Sequence, residues 1–246
     1  MKYIKKFENH AAYETAESGL ILPNVSLCAQ ENEVYYKPFD PYNGHEYVDL
    51  GLPSGTKWAT MNVGASSETD YGLYFQWGDA QGYTADQVGF GDDKKYFGWK
   101  DYKYGNGTSS PGATGMTKYN NTDHLVTLEA SDDAVAVAWG GSWRMPTEAE
   151  FTELLDNTNK QWTTVDGIKG YKFTHKNDAS KYVFLPAAGE CDSGSVNYEN
   201  IDSNYWSSSL NTSSVYYGRY LKFNNGECNM NNASRSYGFS IRGVVR

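Results

Sequence analysis

In Tyr220-Leu221-Lys222-Phe223 apolar and polar residues alternate, the signature of a strand with one buried face. That period-two pattern sits in the tail from Ser193 to Arg246, which constrains the fold more than any other stretch. Two kinds of residue interleave there. Tyr205, Trp206, Leu221, Phe223, Gly226, Gly238, Phe239, Ile241 and Val244 are apolar or turn tightly and read as a rigid scaffold. Asn, Ser and Tyr fill the positions between and read as a contact surface. Tyrosine brings a large flat ring and a hydroxyl with few torsions to freeze. Ser, Gly and Asn add adaptable hydrogen-bonding groups, and antibody binding loops use this mixture. Leu221 and Phe223 are expected to face inward, and Tyr220 and Lys222 outward. Solvated turns between short strands are the plainer account of so polar a tail. They have no need of Tyr216, Tyr217, Tyr220 and Tyr237 within one short span.

Composition supports a turn-rich globular chain. There are 21 Tyr and 7 Trp, with 25 Gly against 7 Pro, so a sizeable aromatic core is available. Net charge is −9. The tail holds five basic and three acidic residues, so the rest of the chain carries the acidity. An acidic body argues against nucleic acid and anionic membrane as partners. The three cysteines, Cys28, Cys191 and Cys228, form no disulfide framework and no CxxC. No apolar run approaches a membrane span, so no membrane insertion is expected. Met1 to Phe7 is not followed by a signal-peptide core, which predicts cytoplasmic synthesis unless an export signal has been trimmed.

Residues 1–45 read as a small N-terminal module. A strand is expected around Tyr3–Phe7, a short helix over 9–17, and two strands, 20–28 and 33–36, joined at Gln30-Glu31-Asn32. The module holds too little apolar mass to fold alone and is expected to dock on the main domain or on a partner. Residues 38–44 read as the linker.

The main domain spans 46–246. Tyr47–Leu50 and Thr56–Ala59 flank a Pro-Ser-Gly turn, and Tyr74–Gly78 is a short aromatic strand. Residues 79–124 form a long irregular stretch, of a kind that is often functional. Its Asp92-Asp93 pair reads as a solvated turn rather than a calcium site, because no alternating oxygen-ligand pattern surrounds it. Residues 131–139 predict a short helix capped by Ser or Asp. Thr147-Glu148-Ala149-Glu150 is a capping box opening a second helix, with Phe151, Leu154 and Leu155 on its apolar face. Tyr171–Phe173 and Tyr182–Gly189 follow as strands, and the second, apolar on both faces, is expected at the centre of its sheet. The order of elements predicts an α+β domain.

Five ordered motifs carry a resemblance that covers residues 46–246. They are Tyr47–Gly55, Gly141–Thr147, Phe184–Gly189, Tyr205–Ser209 and Gly238–Arg242. Together they resemble the paralogous domain abundant in Fibrobacter-type proteomes, related to the formylglycine-generating-enzyme variety of the C-type lectin fold. Gly243 stands where that group usually has Pro. Within the group the tail is similar to the variable region of proteins diversified by retroelements in phages and bacteria of the gut. Those systems mutate adenines, so Asn codons become many residues. The matching positions are Tyr216, Tyr217, Tyr220, Lys222, Glu227, Cys228, Asn229, Asn231, Asn232, Ala233, Ser234, Ser236 and Tyr237, with Lys222 and Glu227 fitting less simply. Leu221, Phe223, Gly226, Met230, Arg235 and Gly238 look fixed. The N-terminal module resembles the leading segment of gut phage structural proteins.

The resemblance implies a C-type lectin-like domain that displays diversified side chains to a protein or glycan receptor on a target cell. It implies a location on a phage tail or a cell surface, with attachment to a virion or oligomer through residues 1–45. The expected ligand-binding set is Asn211, Ser213, Tyr216, Tyr217, Tyr220, Lys222, Glu227, Asn229, Asn231, Asn232, Ser234, Ser236 and Tyr237. No cofactor and no metal are expected. A calcium-dependent lectin would need Glu-Pro-Asn or Gln-Pro-Asp with Trp-Asn-Asp, and the chain has none of these. Calcium-independent glycan binding and a bacterial surface adhesin remain as alternatives. Formylglycine-generating enzymes use reactive cysteines, but neither Cys191 nor Cys228 carries that active-site pattern, and His10, His45, His124 and His175 share no metal-binding spacing. Ser207-Ser208-Ser209 lacks the glycines of a nucleophile elbow, so catalysis is not expected.

Overall fold

A computed structural model describes residues 25–30, 33–38, 40 and 42–246. Val25–Gln30 (β1) and Glu33–Pro38 (β2) form an antiparallel hairpin in register from Val25 opposite Pro38 to Gln30 opposite Glu33. β2 falls where a strand is expected over 33–36, and β1 takes up the described part of the one expected over 20–28 but runs on through Gln30, which the sequence reads as turn. The strand expected near Tyr3 and the helix expected over 9–17 lie outside the described residues.

The rest mixes two short helices with mostly antiparallel sheets. Tyr47–Val48 (β3) and Lys57–Asn62 (β4) pair, and Arg242–Val245 (β13) adds to the other side of β4. The chain's last strand therefore lies beside one of its first. Asp133 caps the helix Ala134–Trp139 (α1), its Oδ1 accepting from the N–H groups of Val135 (2.9 Å) and Ala136 (3.0 Å). Glu148–Asn157 (α2) opens on the expected capping box, with Thr147 Oγ1 taking the Glu150 N–H and Glu150 reaching back to the Thr147 N–H. Phe151 and Leu154 on its apolar face are fully buried, while Leu155 is half-buried.

Thr158–Val165 (β5), Ile168–His175 (β6) and Asp178–Pro186 (β7) form a three-stranded sheet in that order. The strand expected at the sheet centre, β7, thus lies at an edge. Its apolar end, Val183–Pro186, is buried all the same, because it packs into the core beside Trp58, Phe173 and Leu221. Glu190–Asp192 (β8) and Ser195–Asn197 (β9) make a small hairpin. Asp202–Leu210 (β10), Tyr217–Asn224 (β11) and Cys228–Ser234 (β12) form an antiparallel meander. A register shift between Trp206 and Leu210 exposes the Ser207 carbonyl to Trp77 Nε1 at 2.9 Å.

Trp206 and Phe239, both read as scaffold, are buried, as is Trp143, and Trp206 stacks on Phe239 at 4.2 Å. Residues 79–124 hold three single 3₁₀ turns and little else that is regular. Side chains fix this stretch instead. The buried Asp132 carboxylate gathers the Tyr104 hydroxyl, the Tyr119 hydroxyl at 2.6 Å, Lys103 at 3.0 Å and Lys118 at 2.5 Å. The expected linker also docks: Trp143 Nε1 donates to the Tyr42 carbonyl at 2.7 Å, and Asn43 Nδ2 donates to the Trp139 carbonyl at 2.6 Å.

Candidate functional site

One open depression of about 990 Å³ lies where the tail meets the irregular stretch. Its first wall is the end of β11–β12 and the turn after it: Tyr216, Tyr217, Tyr220, Asn232, Ala233, Ser234, Ser236 and Tyr237. The second is the loop from Tyr96 to Ser109, contributing Tyr96, Gly98, Trp99, Lys100, Asp101 and Ser109. Asp192, the last residue of β8, and Ser193, in the turn after it, close the third side.

Buried polar groups set both main walls. Arg235, wholly buried, donates through Nε to the Tyr102 hydroxyl (2.7 Å) and through its terminal nitrogens to the carbonyls of Lys118 (3.0 Å), Tyr119 (3.1 Å) and Val215 (2.9 Å). Its guanidinium lies 4.8 Å from the Trp77 ring. Gln76 joins the walls directly, its Nε2 donating to the Ser236 carbonyl at 2.9 Å and to the Gly98 carbonyl at 3.3 Å. Asp101 pins the turn that carries Trp99 by accepting the N–H groups of Gly98 (2.8 Å) and Phe97 (3.2 Å) and the Lys95 ammonium (3.1 Å). Trp99 then packs on Tyr216 at 4.2 Å, and Tyr216 meets Tyr217 at 5.3 Å.

Seven of the thirteen expected binding residues share this depression: Tyr216, Tyr217, Tyr220, Asn232, Ser234, Ser236 and Tyr237. Six do not line it. Asn211 closes a turn by accepting the N–H of Ser213 at 2.8 Å. Lys222 and Glu227 pair at 2.8 Å near the tip of the β11–β12 hairpin, at the other end of the strands. Asn229 lies opposite Lys222 and Asn231 opposite Tyr220.

Two expectations of exposure are corrected. Tyr220 is 8% exposed, because Trp206 (5.9 Å) and Phe239 (4.9 Å) pack against its ring and leave only an edge at the cavity floor. Ser236 is 1% exposed, with its hydroxyl 3.0 Å from that of Ser234. Leu221 and Phe223 face inward as expected.

Burial raises the phenol pKa of Tyr237, and the negative charges of Asp192 and Glu190 raise it further. Tyr220 is pushed up to about 12 by burial and then by Glu190, Glu227 and Asp202. Both hydroxyls stay protonated and serve as neutral hydrogen-bonding groups. Burial likewise raises the Cys228 thiol to about 12 and the wholly buried Cys191 thiol higher still, which disfavours a thiolate at either position.

The sequence did not single out the second wall, whose residues Tyr96, Trp99, Lys100 and Asp101 come from the stretch marked as long, irregular and of the functional kind. The cluster Tyr96-Phe97-Gly98-Trp99 inside it was the available signal. Among the described residues no group of three or more His, Cys, Asp or Glu is placed to hold a metal ion. No described helix is long and apolar enough to cross a membrane. No family model, no curated protein and no solved structure matches this chain.

Proposed function

We propose that this protein is a non-catalytic receptor-binding module: a C-type lectin-like frame that presents a diversified surface, as a retroelement variable protein does, on a phage tail or a cell surface. Its partner is a protein or glycan receptor on a target cell. The observation that carries the reading is the convergence of Tyr216, Tyr217, Asn232, Ser234 and Tyr237 on one aromatic depression, while Leu221, Phe223, Arg235 and Gly238 between and beside them are buried. A surface built this way exchanges its contacts without touching its core. The pairing of β13 with β4, which brings the two ends of residues 46–246 together, supports the lectin-like frame. The raised thiol pKa values of Cys191 and Cys228 support the non-catalytic reading.

The test uses labelled full-length protein and a panel of gut bacterial cells. Wild type labels a subset of the strains. The Tyr216→Ala, Tyr217→Ala, Tyr237→Ala triple variant loses that labelling with Tm lowered by less than about 5 °C. Labelling that survives the triple change removes this cavity from the binding site. A triple variant that no longer folds assigns the three rings to the core.

A further inference from the structure

We infer that the cavity receives a cationic side chain of its protein partner, a guanidinium or ammonium group, held between aromatic faces and the Asp192 carboxylate on the rim, with Glu190 behind it. The inference rests on the binding reading above and narrows it from protein or glycan to a basic protein segment.

Asp192 lines the cavity, and Glu190, two residues earlier on β8, projects to the same side of that strand. Asp202 and Asn204 share a face of the adjoining sheet, where Asn204 lies opposite Lys222, and Trp206 opposite the cavity-floor residue Tyr220. The Asn204 amide bonds to Glu190 Oε2 at 2.8 Å, which ties the two groups together. Lys222, whose charge reaches Glu190 and Asp202, pairs directly with Glu227 at 2.8 Å, and Lys95 pairs with Asp101 at 3.1 Å. Among the described residues no Lys, Arg or His nitrogen lies within 4 Å of a carboxylate oxygen of Glu190, Asp192 or Asp202.

A second, independent observation points the same way. Asn204 is 3% exposed, and its Oδ1 has no hydrogen-bond partner. The buried Oδ1 of Asp202, two residues along the same strand, has none either. The region therefore holds an excess of acceptors over donors, and native interiors leave few such groups unpaired. These buried oxygens do not line the cavity, but their excess adds to the negative field behind Glu190, which favours a cation there and disfavours an anion. Burial first and then Asp202 and Asp192 hold the Glu190 carboxyl above its usual range, and the Lys222 ammonium offsets them only in part. Among the described residues exposed Lys100 is the one basic group lining the cavity, set against Asp192 and the already paired Asp101.

The aromatic side supplies the rest. Trp99, Tyr216, Tyr217 and Tyr237 offer ring faces at which a cation is attracted by the π-quadrupole. The planar guanidinium also stacks, and its five donors match scattered acceptors better than an ammonium does. Beyond the cavity, Phe90 is 73% exposed and meets Tyr96 edge-on at 5.7 Å. That ledge gives the apolar residues flanking a basic side chain a place to lie.

The experiment is a two-dimensional NMR titration of the full chain, read at the Trp99 indole N–H, whose resonance is identified with Trp99→Phe. The probes are Nα-acetyl-arginine amide, its neutral isostere Nα-acetyl-citrulline amide, and methyl glucopyranoside. The arginine probe is expected to shift the indole signal with a millimolar Kd, and the citrulline probe to bind about tenfold more weakly or less. Asp192→Asn and Glu190→Gln are each expected to weaken arginine binding about threefold to tenfold, with Tm within a few degrees of wild type. The inference is overturned if citrulline matches arginine, if the glucoside binds more tightly than arginine, or if no probe shifts the indole at about 100 mM. If the cell labelling described above depends on the three tyrosines while arginine and citrulline bind alike, the binding surface stands and its cationic specificity falls. If labelling does not depend on them, the surface itself falls.

Discussion

Arg235 is the point at which the cavity's architecture is most exposed to test. Its guanidinium is buried, makes four hydrogen bonds of 2.7–3.1 Å, and has a tryptophan face beside it. Three of its acceptors are main-chain carbonyls, at Lys118, Tyr119 and Val215, and the first two belong to a segment with little regular structure to satisfy them. Arg235→Ala leaves those acceptors unpaired and opens a void beside Trp77. A hydrogen bond to a charged group contributes about 1.5–3 kcal/mol, and removing one buried partner costs about that much. Four together set an upper bound near 6–12 kcal/mol, which local relaxation and water entry reduce. We therefore expect a loss of about 4–5 kcal/mol, in the range reserved for broken buried networks. Arg235→Lys keeps the charge, but a single ammonium cannot span four separated acceptors, so about 2–3 kcal/mol is expected. Urea denaturation at a constant m-value measures both, and limited proteolysis should cut first within residues 103–119, which Arg235 tethers. A cost under about 1 kcal/mol for Arg235→Ala, with unchanged proteolysis, would refute the claim that this side chain holds the second wall.

The same frame makes three further predictions. Tyr220→Ala should cost about 3 kcal/mol, because Trp206 and Phe239 enclose its ring, whereas Tyr217→Ala, half-buried at the rim, should cost under about 1 kcal/mol; equal costs in chemical denaturation would contradict the assignment of floor and rim. Gly189→Ala should destabilise by about 3 kcal/mol or more, since its φ is +70° and a Cβ would lie 2.0 Å from the Asn197 carbonyl oxygen, while Gly167→Ala, at φ +83° with nothing within 4 Å, should cost only about 1 kcal/mol. Burial works to raise the Glu150 carboxyl, but Arg144, with Nη1 at 2.7 Å, and the Thr147 N–H outweigh it and bring the pKa to about 2 from 4.5. Its contribution of about 3 kcal/mol is therefore complete above pH 4.5 and lost as pH falls towards 2, and a Glu150→Gln variant whose stability falls just as steeply over that window would exclude it.

Local physics explains what was legible beforehand. The Thr147 to Glu150 capping box and the Phe151/Leu154 stripe placed α2, because a helix start is decided by residues three apart. Alternation at Leu221 and Phe223 placed β11 for the same reason. Alternation then misled at Tyr220, since it assumes that the second face of a strand meets water. Here Phe239, nineteen positions later, covers that face, and no nearby residue announces it. The edge position of β7 was hidden in the same way: a run apolar on both faces shows that both are covered, not that both edges are hydrogen-bonded.

The half of the site that the sequence left unmarked is the half without regular structure. A strand repeats its own instructions every second residue, so its faces can be read from a few positions. A loop is positioned by contacts made once each, and the ones that matter here reach across 22 to 160 residues: Gln76 to Gly98 and to Ser236, and Arg235 to Lys118. Every one of these uses a buried polar side chain bonded to main-chain carbonyls, which do not change when side chains elsewhere on the loop do. Trp99, Tyr216 and Asn232 can therefore be replaced without loosening the groups that set the walls apart. A binding surface whose side chains are exchangeable needs that separation, because rigidity supplied by the contact residues themselves would be lost with each exchange, and with it the preorganisation on which affinity depends.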